Sequence, residues 1–185
     1  MQRKFNFLIL FLLLVILFGK PNNVLACLGI TDDLNNPNPI LNANFSLLPD
    51  VDPLTDCWTS AIRMRTDRTS WRLTASRTGP NPTTATGNAS DFVQASDLKI
   101  TFTVQNFGSA PLGGAILVSP FTSTTPLSSI VSGTLVVSGV KRSGTSCANT
   151  NVNFYKLTKN LCLYRDFVFN LGGYSGQISY LLVSP

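Results

Sequence analysis

The sequence predicts an all-β chain: an antiparallel two-sheet β-sandwich of immunoglobulin-like or jelly-roll topology, with about eight or nine short strands. Three observations carry this. Apolar and polar residues alternate strictly in several short windows, and clusters of Gly, Pro, Asn and Asp separate those windows. Beyond the amino-terminal segment, no window longer than about ten residues shows three-and-four apolar spacing free of breakers.

The clearest windows lie in residues 58–77. Trp71, Leu73 and Ala75 alternate with Arg72, Thr74 and Ser76, and Ile62 and Met64 alternate with Ala61, Arg63 and Arg65. Asp67-Arg68-Thr69-Ser70 between them has turn composition, so the stretch reads as a hairpin with Trp71 as its largest buried side chain. The five arginines from 63 to 77 read as its solvent face, their stems covering apolar surface.

Before this hairpin, residues 27–39 are rich in Asp, Asn and Pro and read as an extended lead-in to one sandwich domain over 40–185. Leu41, Ala43, Phe45 and Leu47 then alternate with polar residues in a candidate first strand, and Pro49 to Asp56 is a loop. Residues 78 to about 96 hold several breakers and no periodicity, which predicts a long connection. Leu98, Ile100, Phe102 and Val104 mark the next strand. Further strands are expected at 115–118, 130–140, 152–157 and 161–169. Gly172 to Gly176 reads as a turn before a last strand carrying Ile178, Tyr180 and Leu182.

The amino terminus has the layout of a secretory signal peptide over residues 1–26. Met1 to Lys4 is basic, Phe5 to Phe18 is apolar, and Val24-Leu25-Ala26 fits a cleavage site. A membrane span needs ~20 apolar residues, and Lys20-Pro21-Asn22-Asn23 ends this run early. Export puts the mature chain outside the cell, free or surface-associated. Cys27, Cys57, Cys147 and Cys162 then form an even set suited to two disulfides. That parity argues against lipid attachment at Cys27. Three pairings are open, and proximity in sequence favours Cys27–Cys57 with Cys147–Cys162.

The formal charge is +5, but Arg3, Lys4 and Lys20 lie in the leader, which leaves 11 basic against 9 acidic residues. No cationic run remains, so nucleic acid is not an expected partner. There is no His and no Glu, which removes the commonest general base and much of the carboxylate repertoire. The expectation is a non-enzyme without a cofactor. Asp50, Asp52 and Asp56 fall in one loop as a weak calcium candidate, lacking the Gly and terminal Glu of an EF-hand.

Two segments resemble the WxL-type and related bacterial cell-surface β-sandwich proteins. One is Ile62-Arg-Met-Arg-Thr66 with Ser70-Trp71-Arg72-Leu73-Thr74-Ala75, followed by Pro111-Leu112-Gly113-Gly114-Ala115; the other is Gly173 to Leu182. The family's second Trp-x-Leu is replaced here by Tyr180-Leu181-Leu182, so the resemblance bears on the fold more than on wall attachment. What it implies is a surface protein of a bacterium, with cell-wall or extracellular polysaccharide or another surface protein as partner. The functional expectation is therefore a structural or adhesion protein that binds through end loops, 78–96 above all. Two alternatives stay open: a pilus-like subunit that donates residues 40–48 to a neighbour, forming homo-oligomers, and a small carbohydrate- or calcium-binding domain.

Overall fold

Period-two sequence becomes paired strands wherever one face finds a core, and a computed structural model describes this for residues 27–36, 40–47, 55–164 and 169–185. In chain order the strands are β1 (Leu28–Asp32), β2 (Ile40–Leu47), β3 (Thr55–Thr66), β4 (Trp71–Pro82) and β5 (Leu98–Phe107). They continue as β6 (Ala115–Leu117), β7 (Thr125–Pro126), β8 (Thr134–Gly139), β9 (Phe154–Tyr164) and β10 (Gly172–Val183). Among the described residues, helix is confined to two short 3-10 turns, Ala89–Asp91 and Leu127–Ser129.

The strands form two five-stranded antiparallel sheets, packed face to face as a β-sandwich. Sheet A has the order β1-β3-β9-β5-β7, and sheet B the order β2-β10-β4-β8-β6. Consecutive strands alternate between the layers along the whole chain. The pairs β2–β10, β3–β9, β4–β8 and β5–β7 are nested one inside the next, as in a long antiparallel ribbon bent at β6 and rolled up. This is a jelly roll, so that is the one adopted of the two expected topologies. β1 extends sheet A beside β3, and β6 extends sheet B beside β8.

The core lies between the layers. Ile62, Met64, Trp71, Leu73, Ile100, Val137, Leu157 and Leu163 are each at most 1% exposed, and every such aliphatic side chain contributes roughly 1.5–3 kcal/mol. Trp71 stacks on Tyr155 with ring centroids 5.6 Å apart, and its indole N–H donates to the Lys141 carbonyl at 2.9 Å. The aromatic pair thus spans the sandwich from β4 to β9.

Several expectations are corrected. β3 and β4 do not form a hairpin, because they belong to different sheets and residues 67–70 arch between the layers. Both strands bury an apolar face, and facing each other across the core buries both sets. The disulfides join Cys27 to Cys147 and Cys57 to Cys162, at sequence separations of 120 and 105. Proximity in sequence misleads here because the ribbon brings the two halves of the chain together. Cys57 and Cys162 are register partners on β3 and β9, with Cα atoms 4.1 Å apart.

Three boundaries also move. Residues 78–82 continue β4, since Gly79 takes φ 79° and a register shift between Ser175 and Gln177 of β10 accommodates it. The expected strands at 152–157 and 161–169 are one strand, β9, running unbroken through Lys159-Asn160. Gly172–Gly176 lies inside β10 rather than in a turn. Within the expected lead-in, Leu28–Asp32 pairs with β3 as an edge strand. The expected signal peptide, residues 1–26, lies outside the described residues.

Candidate functional site

Alternation gives sheet A an outer face as regular as its inner one. Register places Thr59, Asn160 and Thr101 in one row across β3, β9 and β5, and Ala61, Thr158 and Thr103 in the next. Arg63, Lys156 and Gln105 follow, and Phe154 with Phe107 closes the face. Strands stand ~4.8 Å apart and alternate residues along a strand ~6.7 Å, so hydroxyl and amide groups form a regularly spaced grid. Thr59 donates to the Asn160 side chain at 3.0 Å, and the hydroxyls of Thr101 and Thr124 lie 2.7 Å apart. The Cys57–Cys162 disulfide borders the grid at its other end.

The turn after β1 overhangs this face. Asp32 accepts hydrogen bonds from the Leu34 and Asn36 amides, each at 2.8 Å, and from the Asn36 side chain at 2.6 Å. Asn35 then takes φ 66°, a left-handed conformation asparagine tolerates. Burial pushes the Asp32 carboxyl up, but the hydrogen bonds from Asn36 and Leu34 with nearby Arg63 outweigh it and leave it below the usual range. Asp33 reaches across to Lys156 at 2.7 Å and to Arg63 at 3.0 Å. The hydrogen bond from Lys156, aided by Arg63, holds its carboxyl below the usual range against a burial effect of opposite sign. Asp33, Leu34, Thr59, Ala61, Lys156 and Thr158 line an open groove of about 390 Å³.

At the closed end, Phe107 stacks on Phe154 with centroids 4.9 Å apart. Arg63 and Arg65 lie over Phe154 at 4.9 and 5.1 Å, and Lys156 lies 6.0 Å from the Phe107 centroid. Phe107 is 38% exposed, which leaves part of an aromatic ring beside Lys156 at the end of the polar rows. Arg65 by contrast is structural. It is 1% exposed, and its guanidinium donates to Thr31, Asn35 and the Asn149 and Asn151 carbonyls. Burial, with Arg63 nearby, lowers its pKa.

The motif residues lie elsewhere. Trp71 and Leu73 are fully buried, Leu182 is 8% exposed, and Tyr180 is half-buried on the inner face of β10 with its hydroxyl inaccessible. They build the core and present nothing to a ligand. The 83–97 connection is anchored along its length: Val93 is 2% exposed, Phe92 packs edge-on against Tyr174, and Asn170 holds Asp91 and Asn88. Its longest exposed run is 86–90, with Thr83, Thr84, Gln94 and Ser96 exposed on either side of it. Asp50 and Asp52 lie outside the described residues, and Asp56 sits on β3 opposite Leu163. Among the described residues, no three His, Cys, Asp or Glu side chains come together.

Lys159 is absent from the sequence-based expectations. It points into the core at 1% exposure, with its Nζ 4.5 Å from the centroid of the Tyr180 ring. Burial pushes its pKa down to about 8. The Ser60 and Tyr180 hydroxyls are buried without hydrogen-bond partners among the described residues. The signal is present in the sequence, since Tyr155, Leu157, Leu161 and Leu163 put position 159 in the inward phase, but a lysine there reads as a strand end.

Comparison with known families, curated proteins and solved structures finds no match to this chain.

Proposed function

We propose that this chain is an exported, non-enzymatic adhesion or structural module, whose rigid sandwich binds polysaccharide on the outer face of sheet A. The observation that carries this reading is the grid of Thr59, Asn160, Thr101, Thr158 and Thr103 ending at the partly open Phe107 ring. Hydroxyls and amides both donate and accept, which suits the mixed donors and acceptors of sugar hydroxyls. An aromatic face takes the apolar side of a sugar ring. Two disulfides fit an oxidising compartment, which supports a place outside the cell. The grid, rather than the anchored 83–97 connection, is the better platform because β-strands hold its spacing without further ordering.

The test is co-sedimentation of the purified protein with peptidoglycan sacculi, cellulose and chitin. Thr158→Arg puts a long cation at the centre of the grid on a half-exposed site. Binding to at least one polymer is expected to fall tenfold or more in that variant with its melting temperature unchanged, while replacement of residues 86–90 by a Gly-Ser linker leaves binding intact. Loss of binding in the linker variant alone would move the site to the loop.

A further inference from the structure

The sandwich has four sheet edges, and three are guarded. β1 is covered by the segment around Cys147, to which it is tied by the Cys27–Cys147 bond, with Gly29 packed against the Cys147 carbonyl. β7 has two residues, one of them Pro126, and β6 has three, beside Gly113-Gly114. Short length, proline and covering are the usual means of keeping an edge from pairing. β2 is neither short nor broken by proline, and no described strand but β10 pairs with it. It runs eight residues, Ile-Leu-Asn-Ala-Asn-Phe-Ser-Leu, without a charge or a proline. One side hydrogen-bonds to β10, and among the described residues nothing pairs with the other.

We infer that β2 is a homotypic docking edge. Two copies pair Ile40–Leu47 antiparallel about a two-fold axis at Asn44, joining their five-stranded B sheets into one of ten strands.

The strand's own pattern restricts pairing to registers that keep its two faces apart, the one about Asn44 among them. About Asn44, Leu41 meets Leu47, Ala43 meets Phe45, and Asn42 meets Ser46, so each residue faces one of its own kind. Leu41, Ala43 and Phe45 are register partners of Ile178, Gly176 and Tyr174, and Ile178 and Tyr174 are core residues. The apolar set of the second copy therefore extends the same face of the sheet. A slip of one residue would set Asn against Phe and mix the faces. Strand donation is disfavoured by the covalent frame. β2 lies between Cys27 and Cys57, and each of these is bonded to a residue in the second half of the chain. The segment is thus tied at both ends to its own domain, and pairing in place requires no release from β10.

Light scattering during size exclusion, on the disulfide-intact chain without residues 1–26, tests the inference. The expected mass is that of two chains, dissociating on dilution. Asn44→Lys places two like charges opposite each other at the axis, and the mass is expected to halve, with the melting temperature that of the wild type diluted to monomer. Asn44→Cys is expected to cross-link with its own counterpart on oxidation, as a dimer linked through residue 44 in mass spectrometry. A wild-type monomer at all soluble concentrations overturns the inference, as does a dimer in which Asn44→Cys fails to cross-link. A ladder of higher polymers overturns it in favour of strand donation, and a monomer that captures added extended peptides along β2 assigns the edge to another partner.

Discussion

Gly139 shows how much a single position carries. A Cβ there would overlap the Trp71 indole, so the close approach of β8 to the largest core side chain depends on glycine. Gly139→Ala is expected to cost about 1–3 kcal/mol by forcing Trp71 off its place against Tyr155, read as a lower denaturation midpoint. Lys159 makes a different statement. In the unfolded chain its amine titrates near 10.5, and burial lowers it to about 8 in the fold. Between those values the unfolded chain holds more protons, so this residue's contribution to stability rises with pH. The buried tyrosines act in the opposite sense above 10. Desolvation raises Tyr155, Tyr174 and Tyr180, so the unfolded chain ionises first and stability falls there. Chemical denaturation is therefore expected to show stability rising from pH 8 to about 9.5. Lys159→Met abolishes that rise and is more stable than wild type at pH 7 by about 1–3 kcal/mol, because it removes an amine with no acidic partner among the described residues. A flat wild-type profile over that range would show that the amine is solvated in solution.

Individual strands were legible wherever burial is one-sided. The alternation of Trp71-Leu73-Ala75 and of Leu98-Ile100-Phe102 reappears as buried and accessible positions on β4 and β5. Boundaries failed where a local signal contradicted a tertiary one. Gly79-Pro80 and the Gly172–Gly176 run look like turns, yet pairing of β10 with β4 and with β2 carries the strands through both. The short edge strands were read poorly for the same reason. β1 has only Leu28 and Ile30 against the core, too short an alternation to stand out, and is held as well by its disulfide and by the Arg65 guanidinium, which spans from Thr31 to the 149–151 carbonyls. The Cys27→Ala/Cys147→Ala double variant is therefore expected to lose about 2–5 kcal/mol and to release β1 first. Hydrogen exchange should show the amides of 28–32 unprotected while β3 and β9, still joined by Cys57–Cys162, remain protected. Uniform loss of protection would mean that β1 is integral to the cooperative core.

At the scale of the molecule, the nested pairing of β2–β10, β3–β9, β4–β8 and β5–β7 decides where everything lies. It sets Cys57 beside Cys162, assembles the hydroxyl rows from three distant strands, and leaves β2 as the longest edge among the described strands. The proposed binding grid was invisible in the sequence because its threonines are divided among β3, β5 and β9 at the polar positions of alternation, where they read as ordinary solvent-facing residues. The glycan and dimerisation experiments address two different surfaces, an outer face and a sheet edge, and a copy paired through β2 leaves the A face open. The sequence alone determined that the chain is a β-sandwich without long helices, which faces of its strongest strands are buried, and that its four cysteines suit two bonds. Those properties depend on the period of nearby residues and on composition. Only the tertiary structure decided the jelly-roll order, the disulfide partners, the inward Lys159 and the grid on sheet A, because each depends on which distant strands meet, and period-two alternation is the same whatever the neighbour.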